Sequence, residues 1–191
     1  MSGARLQRGF YSRPTLTVAR DLLGCLLFHD SPDGITSGII VETEAYLGHG
    51  DEASHARFGR TERASTMFGR PGRAYVYFIY GLHYMFNVVT EAEHTAGAVL
   101  VRACEPADGL ELMSRRREGG AHLTDGPARL CQAMGITIDQ NGVDLTRGPL
   151  GIRNRKSYHE EEVMVTPRIG VGGSHEAPYR FIVRGNPHVS R

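Results

Sequence analysis

RAYVYFIYGLHYMFNVVT, residues 73 to 90, decides the class of fold. Arg73 to Tyr80 is aromatic and β-branched almost throughout, Gly81 interrupts the run, and His83 to Thr90 resumes the same kind of composition. Such side chains suit a pleated surface, and a glycine between two runs of them marks a tight reversal. Two neighbouring strands are predicted here. Further strands are expected on both sides: CLLFH from Cys25, Ile35 to Ala45 after the turn Ser31-Pro32-Asp33-Gly34, Gly97 to Cys104 ended by Glu105-Pro106, and Tyr179 to Arg184. Helices are expected at Pro14 to Leu23, Asp108 to Arg117 and Asp125 to Met134, each bounded by proline, glycine or a short polar residue that suits a helix end. Strands adjacent in sequence, with helices added between them, imply an α+β fold with a largely antiparallel sheet. No linker or repeat divides the 191 residues, so a single domain spanning 1–191 is expected.

Composition excludes several classes. No apolar run reaches the 18 or so residues of a membrane helix, and the N-terminus lacks a signal-peptide core, so a cytoplasmic protein that does not span a membrane is expected. Cys25, Cys104 and Cys131 are few, distant and set among apolar residues, and read as buried thiols instead of metal ligands or a disulfide framework. Among 22 basic residues only Lys156 is a lysine. A G+C-rich genome produces such a bias by itself, but arginine also suits phosphate and base contacts. The distribution is more telling. Arg57, Arg60, Arg63, Arg70 and Arg73 stand against the single acid Glu62 between His55 and Arg73, a loop-rich basic segment in a chain of net charge +1. That is the electrostatic footprint of a polyanion site. The Arg-rich run 153–162 is expected to be an exposed, mobile excursion.

The strand from Ile35 ends in ETEAY, residues 42 to 46, where Glu42, Glu44 and Tyr46 share a face by strand parity. Arg102, inside the apolar run AVLVRAC, must find an anion if buried, and Glu42 or Glu44 is its natural partner. His55 follows DEAS at the entrance to the basic segment. With His49, Asp51 and Glu52 nearby a metal site has to be weighed, but the spacings match no strong metal motif. Tyr75 and Tyr77 share one strand face and Tyr80 ends the strand on the other, so that one aromatic lines a pocket while another protrudes, a form suited to insertion into a nucleic-acid stack. Asn87 is either a satisfied core amide or a reader of a bound base.

VETEAY, DEASHAR, YVYFIYG with Asn87 six residues after its glycine, LVRACEP, DGPARLCQAMGI, TRGPL and RFIVRGNPHVS, in that order, resemble the alkyladenine DNA glycosylase family, the mammalian alkylpurine type of 3-methyladenine DNA glycosylase. The resemblance runs from about Leu6 to Arg191. It implies one compact domain with a curved antiparallel sheet, acting on double-stranded DNA to remove 3-methyladenine, 7-methylguanine, ethenoadenine or hypoxanthine by hydrolysis of the N-glycosidic bond. It further implies Glu44 as general base, Arg102 as its partner in holding water, Tyr46, His55 and Tyr77 around the flipped base, Asn87 as the screen against guanine, and Tyr80 as the wedge in the minor groove. Arg129 matches a phosphate contact, and Arg57, Arg60 and Arg63 are candidate backbone contacts. No metal or other cofactor is implied. Lys156, the only lysine, falls in the Arg-rich run, so no Schiff-base lyase step is expected. His49 and His188 depart from the family pattern. A monomer is expected, and two other readings stand beside this one: a nucleic-acid-binding module without catalysis, and a metal-dependent hydrolase built on Glu44, His49, Asp51 and His55.

Overall fold

The computed structural model describes residues 3–171 and 177–190. Among these residues eight strands, β1 (Leu26–Ser31), β2 (Gly34–Leu47), β3 (Ala74–Ile79), β4 (His83–Val89), β5 (Gly97–Pro106), β6 (Leu150–Arg153), β7 (Val163–Thr166) and β8 (Arg180–Val183), make one sheet. Among the described residues four helices accompany them: α1 (Arg8–Tyr11), α2 (Thr15–Asp21), α3 (Leu110–Arg116) and α4 (Pro127–Met134). Every strand pairing is antiparallel, in the order β3-β4-β5-β2-β1-β6. The long β2 also pairs through Glu42, Thr43 and Glu44 with β8, which carries β7 on its far side. The sheet curls into a half-barrel, the α+β fold with an antiparallel sheet that the strand patterns predict.

Residues 73–90 form the expected hairpin, with Ala74 opposite Val88 and Ile79 opposite His83. Its turn closes with the amide of Leu82 donating to the carbonyl of Ile79 at 3.2 Å. The two central residues, Tyr80 and Gly81, have φ of 54° and 67°, as the primed hairpin turns require. Only a glycine takes that conformation freely, and Tyr80 holds it at a cost of about 1–3 kcal/mol.

Period-two alternation divides the sheet into two faces. On one, Val41 and Ala45 of β2, Ala74 and Val76 of β3, Phe86 and Val88 of β4, and Val99 and Val101 of β5 belong to the main core, shared with Val18, Ala19 and Leu22 from the α2 region and Leu130, Cys131, Ala133 and Met134 of α4. Thr43, on this face, donates its hydroxyl to the Ala19 carbonyl at 2.8 Å. A large apolar side chain buried here contributes about 1.5–3 kcal/mol. On the other face the segment between β2 and β3 folds back through two single 3-10 turns, and its Ala56, Ala64 and Met67 pack with Tyr75, Val89 and Ala98 in a second, smaller core. This roof over the second face encloses the candidate site.

Boundaries differ from expectation where side chains compete for the cap. Pro14 is the N-cap of α2, and α4 begins at Pro127 with Gly126 as N-cap. Asp125 makes no capping bond, because its carboxylate faces His122 and Arg129. The 153–162 run is exposed as expected but tied down: Asn154 and Lys156 donate their amides to the carbonyls of Ala4 and Gly24, and Tyr158 packs against the core. All three cysteines are free and buried.

Candidate active site

Arg102 joins the two glutamates of ETEAY. Its Nε donates to Glu42 Oε1 at 3.0 Å and its Nη1 to Glu44 Oε2 at 3.2 Å. Both carboxylates are wholly buried. The register between β2 and β5 supplies the geometry, for two compensating irregularities leave Val41 and Arg102 unpaired on their strands. Leu100 pairs with Glu44, and Arg102, two residues further along β5, shares the face that carries Glu42, Glu44 and Tyr46.

The two acids have different surroundings. Glu42 also accepts Arg180 Nε at 2.7 Å, the Ser190 amide at 2.6 Å and the Ser190 hydroxyl at 2.8 Å, which makes it the anchor of the chain's last described residues. Glu44 accepts the Ile169 amide on Oε1 at 2.8 Å and the Tyr46 hydroxyl on Oε2 at 2.8 Å. Burial, followed by the neighbouring Glu44 charge, pushes the Tyr46 phenol far above its ordinary value, so it stays protonated and donates.

Three of these partners, Tyr46, Arg102 and Ile169, also line a cavity of about 340 Å³, within the roughly 300–1,000 Å³ of small-ligand pockets. Glu44 lies directly behind that wall. The same cavity gathers His55 from the roof segment and Tyr77, Tyr80 and Asn87 from the β3–β4 hairpin, with Met85 and Leu100 as apolar lining. The alternation that sends Phe86 and Val88 to the core turns Asn87 to this side. Its amide nitrogen donates to the Tyr75 carbonyl at 3.0 Å, so the Asn87 side chain is held in place by the main chain of β3.

His55 stands edge-on to Tyr77, with ring centres 4.7 Å apart, and its Nδ1 is 2.8 Å from the Tyr75 hydroxyl. Burial, then the charges of Arg63 and Arg57, push the imidazole down to about 4. At neutral pH it is an uncharged ring. Burial pushes the Tyr77 phenol up to about 12, and Arg63 lies over its face at 5.1 Å. The result is a neutral aromatic enclosure with a buried acid behind one wall.

Tyr80 is 84% exposed at the hairpin tip, with Leu82 at 75% beside it. A projecting aromatic and aliphatic pair is unusual on a surface without a binding role. Arg57, Arg60 and Arg63 are exposed on the roof segment. Arg57 donates to the Glu52 carbonyl and lies over the Phe58 ring. Arg129 is about half exposed and pairs with Asp125 at 3.0 Å. Lys156 sits over the Tyr158 ring and 3.8 Å from Glu162, and is absent from the cavity lining.

Sequence reasoning missed a second buried ion pair. Arg168 binds Asp51 through two parallel bonds, Nη1 to Oδ2 at 2.7 Å and Nη2 to Oδ1 at 2.8 Å. Arg102 stands in an apolar run that marks a buried cation, whereas Arg168 lies near Pro167 and Gly170 in a stretch that looks like a surface loop. Asp51 and Glu44 are thus both occupied by arginines. Among the described residues no group of three or more His, Cys, Asp or Glu side chains is placed to hold a metal ion.

The sequence model of the methylpurine-DNA glycosylase family matches residues 9–187. A protein of Methanoculleus marisnigri, provisionally named 3-methyladenine DNA glycosylase, is 49% identical over 191 residues, covering 97% of this chain and 98% of its own. Proteins given the same provisional name in Carboxydothermus hydrogenoformans and Prosthecochloris aestuarii are 47% and 45% identical, each over at least nine-tenths of both chains. A family match over residues 9–187, with identities of 45–49% along nearly the full chain, places the chain in the methylpurine-DNA glycosylase family.

Proposed function

We propose that the chain is a monofunctional DNA glycosylase that extrudes a damaged purine from duplex DNA into the 340 Å³ cavity and hydrolyses its N-glycosidic bond. The observation that carries this reading is the placement of the Glu44 carboxylate behind an aromatic enclosure, its two oxygens aimed by Arg102, Tyr46 and the Ile169 amide. The names of the relatives point to 3-methyladenine as a substrate. Hypoxanthine, ethenoadenine and 7-methylguanine are proposed with it on the resemblance of the site residues.

A base within the stack exposes no path to C1′ of its sugar, so it must leave the duplex first, and the unstacking costs a few kcal/mol. Tyr80, exposed at the hairpin tip, fills the gap and restores stacking. Tyr46, His55 and Tyr77 surround the extruded purine, and Asn87, fixed by the Tyr75 carbonyl, opposes the exocyclic amine of guanine. As the purine departs, the sugar gains oxocarbenium character. The Glu44 carboxylate stabilises that charge and takes the proton of the attacking water, while Arg102 keeps the carboxylate oriented. A base made cationic by alkylation leaves readily. His55, neutral at pH 7, donates no net charge to a leaving base, so its role is to shape and polarise the pocket.

The test is duplex DNA carrying a single hypoxanthine or ethenoadenine, and separately methylated duplex DNA assayed for released 3-methyladenine, each incubated with the protein in chelator. Wild type should release base and leave alkali-labile sites. Glu44→Gln should lower the single-turnover rate by about 10²–10⁴-fold. Borohydride should trap no protein–DNA adduct. Failure to release any alkylated or deaminated purine would sink the reading.

A further inference from the structure

The Arg168–Asp51 pair is nearly sealed from solvent, with side-chain exposures of 1% and 2%. Burying two charges is costly, and a well-packed apolar pair at such a position is often as stable or more so. Arg168 Nε, moreover, is buried with no hydrogen-bond partner among the described residues. Stability alone therefore gives a poor account of this arginine. Its contacts give a better one.

Arg168 Nη1 donates to the Ala45 carbonyl at 2.9 Å as well as to Asp51, and so grips β2 between Glu44 and Tyr46. Its guanidinium carbon lies 4.7 Å from the centre of the Tyr46 ring, whose hydroxyl donates to Glu44 Oε2. The next residue, Ile169, donates its amide to Glu44 Oε1. One residue thus adjoins a donor on each oxygen of Glu44, Arg102 being the other donor to Oε2. Asp51, the other jaw, accepts the amides of Leu47 at 2.9 Å and Ala53 at 3.2 Å, and its own carbonyl accepts the Ser54 amide. Ser54 in turn caps the 3-10 turn that begins at His55. Burial pushes the Asp51 carboxyl up, but the Arg168 bonds and these amides outweigh it and hold the group below its ordinary range.

We propose that Arg168 and Asp51 act as a clamp that sets the aim of the Glu44 carboxylate and its distance from the His55 wall of the cavity. Both are positioning residues, and the inference rests on Glu44 being the general base. Arg168→Lys keeps the positive charge beside Asp51 but cannot make the two parallel bonds and reach the Ala45 carbonyl together. Asp51→Asn keeps the shape and loses the charge.

The experiment measures three quantities for wild type, Arg168→Lys, Asp51→Asn and Glu44→Gln: the single-turnover rate of 3-methyladenine release from methylated duplex DNA, the affinity for a duplex containing a tetrahydrofuran abasic analogue, and the melting temperature. The clamp variants should release base about 10- to 100-fold more slowly while the abasic-duplex affinity stays within about threefold, because misaiming a catalytic group affects the transition state and not DNA engagement. The double variant should be no slower than the worse single one, since both remove one device. Rates unchanged in both single variants, or rate and affinity falling together, overturn the proposal. If Arg168→Lys does not fold, Asp51→Asn decides by the same split. Glu44→Gln separates the two levels: full activity there removes the general-base reading itself, whereas an inactive Glu44→Gln beside fully active clamp variants removes only the clamp.

Discussion

Arg102 Nε and Glu42 Oε1 meet at 3.0 Å in a buried part of the sheet, yet the residue proposed to use this arginine in chemistry is the other acid, Glu44. The division of labour can be tested. Glu42 also neutralises Arg180 and holds Ser190, so Glu42→Gln leaves the buried Arg102 and the partly buried Arg180 undercompensated. A loss of about 3–5 kcal/mol is expected, a fall in melting temperature of about 10 °C. Thermal unfolding beside Glu44→Gln, whose main deficit should be the excision rate, distinguishes an acid that holds the fold from one that serves the reaction.

Tyr80 gives the opposite pattern. Its side chain is 84% exposed, so Tyr80→Ala should leave stability within about 0.5 kcal/mol of wild type. Affinity for a duplex with a damaged base should weaken by about 1–3 kcal/mol, the contribution of one aromatic stack. Equal affinity in a fluorescence-anisotropy titration would show that the hairpin tip does not enter the DNA.

His55 carries a pH prediction whose sign follows from its lowered pKa, about 4 against an ordinary 6.5. Above 6.5 the imidazole is neutral in the folded and unfolded chain alike. As pH falls from 6.5 toward 4 the unfolded chain takes up a proton that the folded one resists, and His55's contribution to stability is lost. Denaturation curves at pH 7 and pH 5 should accordingly fall further for wild type than for His55→Gln. Nitrogen-15 shifts of the ring should remain those of neutral imidazole at pH 5. Arg63→Gln, by removing one cation's repulsion of the protonated ring, should move the titration upward.

The roof segment carries the electrostatic prediction. Arg60 is exposed beside Arg57 and Arg63. If it contacts one phosphate, Arg60→Ala lowers the slope of log affinity against log salt by about 0.9 and weakens damaged and undamaged duplexes equally. An unchanged slope places the DNA elsewhere on the surface.

Strand alternation was legible in the sequence because it is local. Tyr75 and Tyr77 are two residues apart and face one way whatever the sheet order, and the hairpin at Gly81 needs only its own turn. The same parity grouped Glu42, Glu44 and Tyr46, and the apolar setting of Arg102 announced an ion pair. Parity could not rank the two acids. The tertiary structure gives them different partners: Arg180 and Ser190 reach Glu42 from far along the chain, whereas Glu44 takes the distant Ile169 amide and the hydroxyl of Tyr46, two residues away. Nor could parity pair Arg168 with Asp51 across 117 positions, or bring the roof segment over the second face to place His55 against Tyr77. Sequence by itself determined which side chains share a strand face, through the two-residue repeat of the extended chain. Only the tertiary structure decided which carboxylate meets which cation, because a buried charge takes its partner from whatever the closed sheet brings within 3 Å or so, regardless of separation along the chain.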